Sequence, residues 1–249
     1  MVTGALVKRY LLKEYGSWGV MVLSYLAGLL VSGGATPRAI PAFVALALAV
    51  NSKQALTAWI RSAGPASRVP MVIFIVQVVT ASGLLVWLLS ADLVRFLPYA
   101  AVPCAYLVLL RYAGEHALLT EVSGFILLST SVLISRYVLS GEIDPRLFIA
   151  VAVFFAAGVF KVRAKLRKGI FERSLAVLYV VGALVVYHLI GVPLVVLLPL
   201  ADNLIFSASL YRVTLKTAGW LEVAKGAAFL VLLTFNYPPL RTALIAYLR

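Results

Sequence analysis

The stretch from Leu175 to Leu200, LAVLYVVGALVVYHLIGVPLVVLLPL, decides the fold class of this chain, because its only titratable side chains are those of Tyr179, Tyr187 and His188. A membrane helix needs about 20 apolar residues to cross a hydrocarbon core about 30 Å thick. The stretch is longer than one such span, and Gly191 and Pro193 are the natural place to divide it. It therefore predicts two transmembrane helices joined by a short turn.

The rest of the chain has the same character. Of its 249 residues, 63% are apolar and 12% are charged, and the mean hydropathy is +1.04; about a quarter of the residues in a soluble domain are charged. Apolar runs bounded by charges, glycine or proline predict an all-α, polytopic transmembrane bundle that forms a single domain over residues 1–249. The nine predicted spans are 15–33, 39–61, 69–89, 93–114, 118–141, 145–168, 171–190, 192–212 and 219–239.

The basic residues predict the orientation. The chain has 22 Lys and Arg against nine acids, a formal net charge of +13. Cytoplasmic ends of spans retain Lys and Arg, and a cytoplasmic N-terminus places 16 of the 22 on that side. We therefore predict a protein of the cell membrane with its N-terminus in the cytoplasm and its C-terminus outside. Because the basic residues border spans, they predict contacts with membrane lipids and no nucleic-acid partner.

The residue inventory excludes several kinds of chemistry. The chain has one cysteine, Cys104, and two histidines, His116 and His188. These numbers exclude an intramolecular disulfide and a multi-histidine metal centre. No phosphate-binding glycine loop, zinc-protease motif or nucleophile elbow is present, and we predict neither a metal nor a cofactor.

Polar residues inside the spans are the first candidates for a site, because a charge there must be paired or hydrated. Lys53 and Asp202 lie about 12 Å and about 15 Å from the inner ends of their spans, at 1.5 Å per residue. If both face one cavity they neutralise each other, and Asn51, Gln54 and Asn203 line the same cavity. The alternative is that Lys53 extends to the membrane surface and that Asp202 binds a proton or a backbone group.

The segment from Lys161 to Arg173, KVRAKLRKGIFER, has the highest density of basic residues. Contact with anionic lipid headgroups is sufficient to explain it. Helical spacing also stacks several cations in rows, which suits the binding of a phosphate or diphosphate. One row contains Lys161, Lys165 and Lys168, and the other contains Arg163 and Arg167.

Two short polar clusters lie at predicted cytoplasmic ends, KEYGSW at 13–18 and GEHALLTE at 114–121. Two interpretations of the second cluster are open, a proton-handling or metal site and a turn held by salt bridges. The spacing of Glu222 and Lys225 predicts a local ion pair. The candidate polar-site residues in the two clusters are Lys13, Glu14, Glu115, His116 and Glu121.

These two clusters carry a resemblance to a known family. KEYGSW resembles the Lys-Glu-His-Gly-Ala-Trp opening of the YwiC-like membrane proteins, with Tyr15 in place of the histidine. The turn from Glu115 to Glu121 resembles the acidic turn of the same family. The resemblance implies a multi-pass membrane protein and does not imply an activity.

The spans also resemble those of the UbiA-type intramembrane prenyltransferases, which hold an isoprenoid diphosphate through Mg²⁺ bound to acidic motifs on their second and sixth helices. Asn51 fits the first motif, but Ala55 and Trp59 stand where acids are expected. Lys161 and Lys165 stand where the resemblance places the aspartates of the second motif. Lysine does not bind Mg²⁺, so the resemblance implies a related bundle without magnesium-dependent chemistry.

Two functions follow from these observations. The first is a UbiA-like bundle with a basic, cytoplasmic-side cavity that binds an anionic isoprenoid, a lipid headgroup or a quinone-like ligand without Mg²⁺. If it is an enzyme, it is a divergent prenyltransferase-type transferase. The alternative is a transporter or an accessory subunit of a larger membrane complex. The predicted ligand-binding residues are Asn51, Lys53, Gln54, Lys161, Arg163, Lys165, Asp202 and Asn203.

Overall fold

The computed structural model of the protein describes residues 15–61, 68–209 and 214–237. All regular secondary structure within these ranges is helical, and the predicted all-α fold is confirmed. The predictions for Lys13, Glu14 and the C-terminus lie outside the described residues, as does the side chain of Tyr15.

Nine apolar helices follow one another in the described ranges, and each lies within a few residues of its predicted bounds. Seven of them, α2 to α7 and α9, are long and apolar enough to cross a membrane, whereas α1 and α8 are shorter. The protein is therefore a multi-pass membrane protein. The helices are α1 (Tyr15–Val31), α2 (Ala39–Arg61), α3 (Arg68–Leu89), α4 (Leu93–Tyr112), α5 (Leu118–Ser140), α6 (Pro145–Arg167), α7 (Ile170–Ile190), α8 (Leu194–Ser209) and α9 (Leu215–Asn236).

The long apolar stretch divides at Gly191, as predicted. Gly191 has a φ of 71°, in the left-handed region, and its N–H donates to the carbonyl of His188. Glycine adopts this conformation without the strain that a β-carbon causes, which is why it ends helices so often. Helix α8 begins at Leu194, directly after Pro193.

Helix α8 has an internal change of geometry that the sequence analysis did not predict. It begins as a 3₁₀ helix over Leu194–Leu200, which contains Pro199, and continues as an α-helix over Ala201–Ser209. Proline has no N–H to donate, and its ring obstructs regular α-helical geometry. The change places Asp202 at the start of the α-helical part.

Helix α6 lies at the centre of the bundle. In its most apolar segment 72% of the residues are buried, compared with 11% in α3 and none in α4. The rings of Phe154 in α6 and Phe229 in α9 stack with their centres 3.8 Å apart. From α7, the Tyr187 hydroxyl donates to the carbonyl of Ala150 at 2.7 Å. Helices α3 and α4 lie at the edge, with apolar side chains exposed.

Helices α1 and α5 pack with their backbones close together at Gly28. A β-carbon built there would collide with the Ser135 hydroxyl and would lie 2.6 Å from the carbonyl oxygen of Val132. The Ser131 hydroxyl donates to the carbonyl of Met21 at 3.1 Å. Small residues allow this approach, as is common between membrane helices.

Candidate functional site

Lys161 of α6 lies inside the bundle and contacts two carboxylates. The residue is 3% exposed. Its Nζ pairs with Asp202 of α8 and lies 2.9 Å from Oε1 of Glu222 of α9. The Nζ also lies 5.7 Å from the centre of the Phe206 ring. An ammonium group inside a membrane must be paired or hydrated, and the two carboxylates supply that pairing.

Lys225 of α9 extends this pair into a cluster. Its Nζ lies 2.9 Å and 3.0 Å from the two carboxylate oxygens of Glu222 and 3.4 Å from Oδ2 of Asp202. It also donates to Oδ1 of Asn203, whose side-chain amide donates to the carbonyl of Ala157 at 3.3 Å. We call this set the Lys161 cluster. Its members are Lys161, Asp202, Asn203, Glu222 and Lys225.

The Lys161 cluster is balanced in formal charge and joins three helices. Two ammonium groups contact two carboxylates, and each lysine contacts both acids. Removal of one partner from a buried ionic group leaves an uncompensated charge, which costs far more than the pair contributes. The balance therefore depends on all four charged side chains.

The cluster lies within the bundle rather than at its surface. Lys161 is six residues before the end of α6 at Arg167, which is about 9 Å at 1.5 Å per residue. Lys225 is ten residues after the start of α9 at Leu215, which is about 15 Å by the same rise. Asp202 is the second residue of the α-helical part of α8, which begins at Ala201. It lies in the same region, since it contacts both lysines.

An apolar groove lies beside the cluster, between α8 and α9. Its volume is about 440 Å³. Asp202 and Lys225 are its charged lining residues, and their side chains are 28% and 10% exposed. The groove therefore combines a long apolar wall with one accessible carboxylate. The lining residues are Leu198, Pro199, Asp202, Leu221, Ala224, Lys225, Ala228 and Leu232.

Of the two interpretations of Lys53 and Asp202, the structure does not support their mutual neutralisation. The Nζ of Lys53 lies 3.6 Å from Glu115, and Nη2 of Arg61 lies 2.7 Å from the other oxygen of the same carboxylate. Asp202 belongs to the Lys161 cluster instead. A similar depth does not make two residues neighbours, because α2 packs mainly against α3. Asn51 and Gln54 lie with Lys53 on α2.

The predicted row of three lysines does not form one face for an anion. Lys161 is buried in its cluster, and Lys165 donates to the carbonyl of Thr214 at 3.0 Å. Lys168 lies beyond the end of α6, with a φ of 55°. The helix ends at Arg167, so Lys168, seven residues after Lys161, does not continue the row of lysines on the helix.

The turn from 114 to 121 is held by salt bridges, as one of its two interpretations predicts. Glu115 contacts Lys53 and Arg61, and Nε of Arg163 donates to Glu121 at 2.6 Å. Arg163 also donates to the backbone carbonyl of His116. The acids of the turn thus join α2 and α6 at one end of the bundle.

A second buried cation, Arg136 of α5, lies at the opposite end. It is 6% exposed, and its guanidinium lies 2.9 Å from Glu142 and 3.6 Å from Asp144. The Tyr237 hydroxyl donates to Asp144 at 2.6 Å. Burial, together with this hydrogen bond, raises the pKa of Tyr237, so the phenol stays protonated. We call Arg136, Glu142, Asp144 and Tyr237 the Arg136 cluster.

The sequence analysis missed Glu222 and Lys225 as site residues. Their spacing predicted a local ion pair, and this pair is present at 2.9 Å, but it is also joined to Lys161 and Asp202. Their position inside a predicted span was the available signal, because any charged residue there is a candidate site residue. In the described part of the chain, no group of three or more His, Cys, Asp or Glu residues could hold a metal ion.

Comparison with known proteins identifies the family. The model of the YwiC-like protein family matches residues 11–136, just over half of the chain. This segment includes the Glu115 turn and ends before α6. The chain matches no curated protein and no solved structure. The protein therefore belongs to the YwiC-like family.

Proposed function

We propose that the protein binds an amphipathic small molecule of the isoprenoid, lipid or quinone type in the groove between α8 and α9, without Mg²⁺. The observation that carries the proposal is the groove itself, an apolar space of about 440 Å³ with Asp202 and Lys225 of the Lys161 cluster in its wall. An apolar tail fits the groove, and a polar head fits the cluster.

The lining supports this function. Small-molecule sites combine apolar walls with a few polar groups that orient the ligand. Charged residues inside a membrane protein are costly even when paired, and they commonly mark functional sites. The groove and the cluster meet at Asp202, where a tail and a head would be recognised together.

Binding without a metal is supported by the lysines. A magnesium site needs carboxylate oxygens arranged around the cation. Here Nζ of Lys161 occupies the position between Asp202 and Glu222, and Lys225 contacts the same two acids. Ammonium groups thus neutralise the carboxylates that a metal ion would otherwise bind.

The test is a comparison of two tryptophan variants. Ala227 and Ala228 are both exposed, but Ala228 lines the groove and Ala227 does not. We expect Ala228→Trp to lose the molecule that co-purifies with the wild-type protein in nanodiscs, as measured by mass spectrometry, and Ala227→Trp to retain it. Retention should persist in EDTA. Equal ligand content in both variants, or loss on addition of EDTA, would overturn the proposal.

One observation favours transport as a second candidate function. Transporters commonly bind substrates and coupling ions where a helix is interrupted at membrane depth. The change from 3₁₀ to α-helix at Ala201 lies beside Asp202. Passage of the co-purified molecule or of protons across a liposome membrane containing the protein would establish this function. Binding without passage supports the first.

A further inference from the structure

The lysines of the Lys161 cluster are less exposed than its acids, and Asp202 is the more exposed of the two charged residues that line the groove. On this basis we infer that the head of the bound molecule is uncharged and donates a hydrogen bond, as an alcohol, a phenol or a hydroquinone does. This inference rests on the proposed function. It departs from the sequence-based prediction of an anionic isoprenoid or a lipid headgroup and keeps the quinone-like alternative in its hydroquinone form.

The N–H groups of both lysines are used within the cluster. Lys161 contacts Asp202 and Glu222, and its Nζ also approaches the face of Phe206. Lys225 contacts Glu222 and Asp202 and donates to Asn203. An ammonium group has three donors. A phosphate entering the groove would have to displace these contacts.

The acids of the Lys161 cluster are more exposed than its lysines. The side chains of Lys161 and Lys225 are 4% and 10% exposed, whereas those of Asp202 and Glu222 are 28% and 32% exposed. Asp202 and Lys225 both line the groove, and Asp202 is the more exposed of the two. A ligand head in the groove therefore meets a carboxylate, which accepts hydrogen bonds from O–H groups.

The formal charge of the cluster excludes a charged head on energetic grounds. The two lysines balance the two acids, so a diphosphate would add uncompensated negative charge in a region of low dielectric constant. An added ammonium would leave uncompensated positive charge. A neutral donor adds a hydrogen bond to the carboxylate and leaves the balance unchanged.

Three ligands with one tail test this inference. Geranylgeraniol donates a hydrogen bond, its methyl ether only accepts, and geranylgeranyl diphosphate is anionic. We expect the alcohol to bind the wild-type protein in nanodiscs about tenfold more tightly than the ether, because a hydrogen bond to a charged group contributes at least this much. The diphosphate should bind more weakly than the alcohol.

A variant at Asp202 should change the order in which the three ligands bind, from tightest to weakest. In Asp202→Ala the cluster carries one uncompensated positive charge, so the difference between alcohol and ether should disappear and the diphosphate should bind more tightly than to wild type. Glu142→Ala, in the Arg136 cluster, is the matched control and should retain the wild-type order. The wild-type series decides the question even if Asp202→Ala does not fold.

The outcomes separate the two proposals. Equal binding of alcohol and ether, or tightest binding of the diphosphate, would overturn the inference about the head, while displacement by Ala228→Trp would still support binding in the groove. Binding that Ala228→Trp does not reduce would overturn the proposed function as well.

Discussion

The Lys161 cluster and the Arg136 cluster each contain a buried cation that contacts two carboxylates, but their partners lie in different parts of the fold. The acids of Arg136 are Glu142 and Asp144, in the connection between α5 and α6, and Glu142 is 68% exposed. The acids of Lys161 are Asp202 and Glu222, within α8 and α9; their side chains are 28% and 32% exposed, between Glu142 at 68% and Asp144 at 17%.

This difference distinguishes a structural contact from a candidate binding site. Water can solvate Glu142, so the charges of the Arg136 cluster have no strict need to balance. The cluster joins the connection between α5 and α6 to the end of α9. The Lys161 cluster must balance its charges among its own side chains, because a charge inside the membrane has few other partners. It also borders the groove between α8 and α9, in which we propose that a ligand binds.

The largest effect is expected from Lys161→Met. The substitution leaves two carboxylates with Lys225 as their remaining cation in the cluster, and loss of one partner from a buried ionic group costs about 3–5 kcal/mol. Chemical unfolding in detergent, followed by circular dichroism, measures the loss. Adding Asp202→Asn restores the formal balance and should recover part of the stability.

Lys168→Met is the control for this prediction, because Lys168 is an exposed cation beyond the end of α6. Exposed substitutions usually change stability by about 0.5 kcal/mol or less. If Lys161→Met were no more destabilising than this control, charge balance would not explain the Lys161 cluster.

A smaller effect is expected from Gly28→Ala, which tests the packing beside Arg136. The new β-carbon would collide with Ser135 and the backbone of α5, and overpacking of this kind costs about 1–3 kcal/mol. The free energy of unfolding should fall without a change in ligand content. Gly19→Ala, where a β-carbon meets no neighbouring atom within 4 Å, should not destabilise; equal losses would refute the close approach.

The smallest effect is expected from Tyr237→Phe, which removes one hydrogen bond from the Arg136 cluster. Loss of a donor to the Asp144 carboxylate should cost about 1.5 kcal/mol, the lower end of the range for hydrogen bonds to charged groups. Tyr112→Phe, at an exposed tyrosine in α4, should leave the thermal unfolding midpoint unchanged. A midpoint for Tyr237→Phe that matches this control would show that the Asp144 contact contributes nothing.

Local signals predicted the helices well. The hydrocarbon thickness limits the length of a span, and charges, Gly191 and Pro193 mark where spans end. The 3₁₀ part of α8 was not predicted, although Pro199 lies within it. Its effect depends on packing against other helices, which a one-dimensional pattern does not contain.

The contacts between helices were harder to predict. The distance of Lys53 and Asp202 from their span ends indicates how deep each residue lies in the membrane. Spacing along the sequence does not give the direction of each side chain around its helix axis, and it does not identify the neighbouring helices. The contacts of the turn from 114 to 121 were easier to predict. Basic residues at the same predicted cytoplasmic end of the spans limit the partners of Glu115 and Glu121. The Lys161 cluster needed the positions of three helices at once.

The most direct test of the account is the stabilisation that geranylgeraniol gives to two variants, Asp202→Asn and Glu142→Gln, each of which neutralises one acid in one cluster. A ligand at about 100 times its Kd stabilises a protein by about 2.7 kcal/mol. We predict that the shift in thermal unfolding midpoint seen with wild type is retained by Glu142→Gln and is reduced to less than half in Asp202→Asn. An equal shift in both variants, or a shift lost only in Glu142→Gln, would contradict the assignment of the Lys161 cluster as the binding site.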